Sequence, residues 1–319
     1  MSRRLQDVAV TGVGLAVPGL SHPDELLGTV REGGFDPRTD LVGRDLRHKD
    51  RASRLALRAA EPALRDAGLW DGSEVLAPRD EVAVVVSSNL GVLDNVCTFT
   101  DVIARETVRG LSPLGLPQTS SNVVAGSVAM RFGLRGPNLT VCNGATSGLD
   151  ALYWARNLLA VGRARVALVI GVEPSSEAVT ELLGEECVDG AAGVVLESAS
   201  GAAARGARAR ATVAAYARTA DLSTSVAAVR DEAAAPVELW LTGGQRRNGP
   251  VDGSPAPPVP AVPTRNLETR LGACSGALGV LQCAAAVAHF GENGGGAVLA
   301  TAGGPDDDAV AALLFTPAP

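Results

Sequence analysis

Cys142, Thr146 and Ser147 bring three nucleophilic side chains into six residues, within the run Gly136-Pro137-Asn138-Leu139-Thr140-Val141-Cys142-Asn143-Gly144-Ala145-Thr146-Ser147-Gly148-Leu149-Asp150-Ala151-Leu152. A thiol or hydroxyl attacks an acyl carbon only when a base takes its proton or its pKa is lowered. The sequence offers no base: His22, His48 and His289 cluster neither with one another nor with the cysteines. Cys142 falls inside a strand-like stretch and is expected to be a buried structural residue, as is Cys274 ahead of an apolar helix. Thr146 and Ser147 are expected to hydrogen-bond at a helix start. Asn143-Gly144 is expected to be a strand-to-helix bend rather than a hairpin turn. The five cysteines, Cys97, Cys142, Cys187, Cys274 and Cys283, are dispersed with no C-x-x-C pair, which argues against a zinc site or a disulfide framework. Asp306-Asp307-Asp308 follows Gly303-Gly304-Pro305 and reads as a solvated turn rather than a metal-ligand set. No metal and no cofactor is expected.

The elements that hold these residues alternate in the manner of an α/β fold. Strands are expected at Val8–Val13, Glu81–Val86, Leu139–Cys142, Arg165–Gly171 and Gly193–Glu197, and the near-continuous valine of the second predicts burial on both faces. Helices are expected at Arg51–Leu69, Asp94–Val108 and Ser147–Val161, the first strongly amphipathic. After an Ala/Arg/Gly linker at Ala203–Arg210 the pattern thins. It continues as a strand at Ala211–Tyr216, a helix at Ser225–Ala234, a strand at Val237–Leu241, a helix at Gly276–Phe290, and strands at Ala297–Thr301 and Ala309–Phe315. Gly249–Pro263 is rich in Pro and Gly and reads as a surface loop. No internal repeat is visible in the residues themselves.

With 319 residues, 46% of them hydrophobic, the chain can bury a large core as one domain or two fused halves. A net charge of −7 argues against a nucleic-acid or anionic-membrane partner. No apolar run approaches the roughly 20 residues needed to span a bilayer, and the chain enters a strand without a signal-peptide core, so the cytoplasm is expected. Lys49 is the one lysine, and the basic residues are otherwise arginines scattered along the chain. With abundant Ala and Gly, this is expected of a GC-rich bacterial gene.

The nucleophile run resembles that of the β-ketoacyl synthases of the thiolase superfamily. So do Asn122-Val123-Val124-Ala125-Gly126, Phe132-Gly133-Leu134-Arg135-Gly136-Pro137, Val169-Ile170-Gly171-Val172-Glu173 and Asp189–Glu197. Gly272-Ala273-Cys274-Ser275-Gly276-Ala277-Leu278-Gly279 resembles the family's late Gly-His…Gly-Ala-Ala-Gly motif. The match is good over about residues 8 to 200 and patchy beyond. The resemblance implies a thiolase-like fold, layered αβαβα, in two pseudo-repeated halves: 1–205, and a shortened 206–319 that contains the 249–263 loop. It also implies condensation by a cysteine and two histidines, with a lysine five residues before the second. Here those positions hold Ala145, Gly243, Ala273 and Glu268. A ketosynthase-like chain without its catalytic set resembles the chain-length factors of type II polyketide synthases, most closely at Ser147–Leu152 and Ala155-Arg156. Its compressed second half is similar to the divergent partners of highly reducing, polyene-forming systems.

The resemblance makes the partner an active ketosynthase in a heterodimer, and an acyl carrier protein reached through that partner. It places Val96, Phe99, Val102 and Ile103 towards the partner and the acyl tunnel. Leu139, Thr140, Val141, Cys142 and Asn143 become the strand that pairs edge to edge with the partner. Acyl carriers are acidic, so one would dock on a local basic patch or on another subunit. Two alternatives stay open: a thiolase-superfamily enzyme with another acyl chemistry, such as a decarboxylase or acyltransferase, and a scaffold that binds a carrier protein.

Overall fold

The structure is a computed structural model describing residues 8–29, 31–113, 115–231, 235–243, 262–293 and 295–318. Most of the proline-rich 249–263 segment lies outside the described residues. The first half runs β1 (Val8–Ala16), α1 (Arg51–Asp66), β2 (Val82–Ser87), α2 (Leu93–Glu106), α3 (Val123–Phe132), β3 (Asn138–Val141), α4 (Ser147–Ala160), β4 (Val166–Glu173), α5 (Glu177–Leu183) and β5 (Gly190–Ser198). The second half runs β6 (Ala211–Thr219), α6 (Leu222–Arg230), β7 (Val237–Thr242), β8 (Thr264–Asn266), α7 (Leu278–Asn293), β9 (Ala297–Ala302) and β10 (Val310–Pro317). Local chemistry marks the helix ends. Asp50 accepts the Ser53 N–H at 2.8 Å to cap α1, and Asp221 does the same for Thr224 in α6. Gly133 ends α3 in the left-handed conformation.

The strands form one ten-stranded sheet in the order β3-β2-β4-β5-β1-β6-β10-β9-β7-β8. Reading outward from the β1/β6 junction, the two sides have the same order and the same directions. β2 is parallel to both β3 and β4, as β7 is to both β8 and β9, and β5 and β10 run antiparallel to their neighbours. The duplication that the residues hide is therefore explicit in the topology. The junction itself is short, from Val8↔Val213 to Val10↔Ala211.

Alternation along the strands sorts the core into layers. Ala83, Val85, Ala167 and Val169 from the first half, and Leu239, Leu241, Val298 and Leu313 from the second, point into one central cluster with Leu149 and Leu152 of α4 and Leu278 and Leu281 of α7. Val82, Val84, Val86, Leu168 and Ile170 point the other way, onto α1 and α3. Trp240, Leu299, Ala312 and Leu314 point onto α6. The sequence of layers is αβαβα, with α4 and α7 in the middle. These two helices cross on glycine: a methyl group on Gly148 would lie 2.5 Å from the Gly279 nitrogen, and one on Gly279 would lie 2.3 Å from the Leu149 nitrogen. Only hydrogen side chains allow that approach.

Several details differ from the sequence expectation, among them the unexpected helix α5. β8 is three exposed residues with no apolar alternation, so periodicity could not reveal it. α3 was not expected as a helix, although it carries one of the resembled runs. β3 ends at Val141, so Cys142 and Asn143 lie past the strand.

Candidate functional site

The turn between β3 and α4 is built from a left-handed glycine and side-chain hydrogen bonds. Gly144 takes φ +71°, which lets the chain bend from strand to helix and presents Ala145, half-buried, at the start of α4. Asn89, just past β2, fastens the bend: its Nδ2 donates to the Gly144 carbonyl at 2.8 Å and to Ser275 Oγ at 2.9 Å. Its Oδ1 accepts from Gly144 N–H at 3.2 Å and from Ser147 Oγ at 2.9 Å. Ser147 Oγ also accepts the Asn143 N–H at 2.6 Å. Thr146 Oγ1 donates to buried Asp150 at 2.9 Å; Asp150 accepts from Asn143 Nδ2 at 2.8 Å and from the Tyr216 hydroxyl. Both hydroxyls at the helix start are thus occupied in holding the turn, Ser147 against the neutral Asn89 amide and Thr146 against the Asp150 carboxylate.

A cavity of about 270 Å³ opens beside this turn, walled by Ala145, Glu268, Ala273, Leu278, Asn89 and Asp307 among others. Ala145, Glu268 and Ala273 line it directly. Gly243 lies just behind: a methyl group built on it would be 2.6 Å from Leu278 Cδ2 and 3.1 Å from Glu268 Oε2. Elements far apart in sequence therefore bring these positions to one place. Glu268 is fixed there by the Cys274 N–H, donated to Oε1 at 3.0 Å. Asp307 accepts the Gly304 N–H at 2.8 Å, which closes a turn at the cavity mouth. Among the described residues no cluster of histidine, cysteine or acid side chains has the geometry to hold a metal ion.

Glu173, at the end of β4, went unnoticed as a site residue in the sequence. It is fully buried and accepts N–H bonds from Asn89 at 2.6 Å, Leu90 at 3.0 Å and Gly276 at 3.0 Å. Burial pushes its carboxyl up to about 7 against the pull of those donors. It ties the Ser88–Leu90 segment to the turn before α7. A glutamate closing a valine-rich strand was the one available signal.

The Cys142 expectation is corrected. Because β3 stops at Val141, Cys142 is exposed in this chain, and its thiol donates to the Ser88 carbonyl at 2.9 Å. Partial burial of the sulfur, and then Glu173, raise its pKa, the opposite of what a nucleophile needs. Cys97 is exposed as well, while Cys187, Cys274 and Cys283 are buried.

The structure does not bring Val96, Phe99, Val102 or Ile103 to the Ala145 cavity. They lie on α2, which has no buried residue: Val96 is 41% exposed and Ile103 43%, while Phe99 covers Gly115 and Val102 covers Gly110. Val108, Leu116 and Met130 add further exposed apolar side chains on the segments that follow. β3 is an open edge of the sheet, with Leu139 and Thr140 half-buried and the Thr140 hydroxyl buried without a hydrogen-bond partner. The arginines that look scattered in the sequence are partly gathered. Arg44, Arg47 and Arg54 line one concave surface with Leu41, Val42 and Leu46. Arg54 donates to the Lys49 carbonyl, and among the described residues none of Arg44, Arg47, Lys49 and Arg54 pairs with a carboxylate within 4.0 Å. No helix among the described residues is long and apolar enough to cross a membrane.

Comparison with known proteins matches residues 27–185 to the family described as beta-ketoacyl synthase, N-terminal domain. A 3-oxoacyl-[acyl-carrier-protein] synthase 2 from Vibrio cholerae is 30% identical over 143 residues, 45% of this chain and 34% of that protein. A protein named polyketide beta-ketoacyl synthase 1 from Streptomyces halstedii is 32% identical over 199 residues, 53% of this chain and 46% of its own length. The matched part spans about a third to a half of these relatives. Among solved structures, one described as the ishigamide ketosynthase/chain length factor superposes with a TM-score of 0.77 at 22% identity, covering 98% of this chain and 100% of that one. A beta-ketoacyl synthase from Burkholderia phymatum gives 0.75 at 18% identity, with 98% and 100% covered. These likenesses establish the thiolase-like fold.

Proposed function

Since the chain belongs to the beta-ketoacyl synthase family through residues 27–185, we propose that it is a non-catalytic, chain-length-factor-type subunit. In this reading it pairs with an active ketosynthase in type II polyketide biosynthesis and shapes the tunnel for the growing acyl chain. The observation that carries the reading is the convergence of Ala145, Gly243, Glu268 and Ala273 around one cavity. A methyl group at 145 cannot form a thioester, and with no imidazole at 243 or 273 nothing assists decarboxylation or steadies an enolate oxygen. The architecture around the missing chemistry, the Gly144 bend and the Asn89 clasp, is nonetheless intact.

The open β3 edge and the unburied apolar face of α2 support pairing with another subunit, because either left bare invites aggregation. The cations of the Arg44–Arg47–Arg54 concavity, which pair with no carboxylate among the described residues, have the sign an acidic acyl carrier protein requires. A highly reduced, polyene-type product is the narrower form of this proposal, resting on the similarity of the compressed second half. The test is co-expression with candidate ketosynthases, followed by size-exclusion chromatography and product analysis. The expected outcome is a stable heterodimer whose condensing activity is lost when the partner's nucleophile is removed, and no turnover of malonyl-carrier protein by this chain alone. A monodisperse monomer that ignores every candidate partner, or turnover by the isolated chain, would overturn it.

A further inference from the structure

Gly243 is buried just past the end of β7, and its φ lies outside the positive region, so its own backbone does not demand glycine. Its neighbours do. A Cβ at 243 would sit 2.6 and 2.9 Å from the two methyl carbons of Leu278 and 3.1 Å from Glu268 Oε2, and real Cβ contacts essentially never fall below 3.0 Å. Leu278 also walls the cavity, so the end of its side chain can withdraw only into that space, beside Ala145. It is 1% exposed, belongs to the central cluster, and is followed directly by Gly279, whose backbone is pressed against that of Gly148 in α4. The start of α7 is pinned by that crossing, and it aims the leucine at Gly243. In the resembled Gly-Ala-Ala-Gly motif, Leu278 stands at the second alanine.

We infer that Leu278 is a plug. Its isobutyl group and Gly243 form a matched pair, and by filling the space at 243 it bars a histidine, or any other side chain, from the deep wall of the cavity beside Ala145. The inference deepens the non-catalytic reading, since Gly243 is the vacated histidine position. It follows that restoring a cysteine at 145, histidines at 243 and 273 and a lysine at 268 does not rebuild a condensing site. Until residue 278 is made small, an imidazole at 243 must drive Leu278 into the cavity beside Ala145.

A double-mutant cycle on the full chain tests the pairing by thermal unfolding. Gly243→Ala alone is expected to lower the midpoint by more than about 5 °C, or to leave no folded protein, as overpacking does. Leu278→Ala alone also lowers it, by opening a cavity. In the Leu278→Ala background, however, Gly243→Ala should cost less than about 1 °C, and Gly243→His should give folded, soluble chain. Equal cost of Gly243→Ala in both backgrounds overturns the plug. Turnover of malonyl-carrier protein by the unmodified chain is measured separately. Turnover there would sink the non-catalytic reading and leave the steric pairing intact, whereas additivity in the cycle removes the plug whatever the turnover.

Discussion

At Glu173 a carboxylate sits fully buried with three backbone N–H groups aimed at it, so its ionisation and the stability of the fold are linked. Its folded value of about 7 against an ordinary 4.5 means that the native state holds the proton more tightly than the unfolded chain does. The protonated form therefore contributes stability that is fully present below about pH 4.5, lost as pH rises towards 7, and absent above. The shift corresponds to roughly 3 kcal/mol at most. Chemical denaturation between pH 4.5 and 8 should show wild-type stability declining up to about pH 7. Glu173→Gln should be weaker at pH 5, because its amide faces the Leu90 N–H, but should lack that decline. An identical slope in both proteins would show that another group is responsible. Glu173 and Leu278 lie in runs quoted from the sequence, but neither was given a role there. A glutamate after a strand and a leucine at a helix start signal chemistry only once Asn89, Gly276 and Gly243 are known to surround them. Ala145, Gly243, Glu268 and Ala273 were singled out only through the resemblance, which implies reactive residues at those positions.

Among the elements, α2 is amphipathic in sequence yet buries none of its residues, and it lies in the same half of the chain as the unpaired edge β3. Its apolar side chains were readable from periodicity; that they face outward was not, because periodicity gives a stripe and not what covers it. The same limit misplaced Cys142. A strand-like run was evident, but whether it ends at Val141 or Cys142 decides whether the thiol is enclosed, and boundaries are the least certain part of such a reading. The near-continuous valine of β2 and the unbroken apolar run Val166–Ile170 of β4 had no such ambiguity and gave strands buried on both faces. Val96 and Ile103 offer a clean test of the α2 face, since both are exposed in the single chain. Val96→Asp with Ile103→Asp should leave the thermal midpoint of the isolated chain within about 2 °C. It should weaken association with the proposed ketosynthase partner at least about tenfold, as expected when two apolar side chains lose their burial. Undiminished association, measured by analytical ultracentrifugation, would remove α2 from the interface.

Over the whole molecule, the two halves repeat one strand order without repeating residues, which is why the duplication escaped sequence inspection. What fuses them is not the brief β1/β6 pairing but the shared middle layer. α4 from one half and α7 from the other cross at Gly148 and Gly279, and strands of both halves send alternate side chains into the same cluster. A half without the other would expose an apolar helix face and one side of its sheet, so independent stability is not expected of either. Unfolding should accordingly be a single cooperative event, with far-UV and near-UV circular dichroism transitions coinciding. Gly279→Ala attacks the crossing directly: its methyl group would meet the Leu149 nitrogen at 2.3 Å, against helix backbone that cannot rotate away. Overpacking of this kind costs about 1–3 kcal/mol or more. If the middle layer is the joint, the variant should lower the midpoint seen by both probes together and keep one transition. Two resolved transitions, with one half unfolding at its original midpoint, would mean that the halves are separate domains and that the crossing is incidental to holding them.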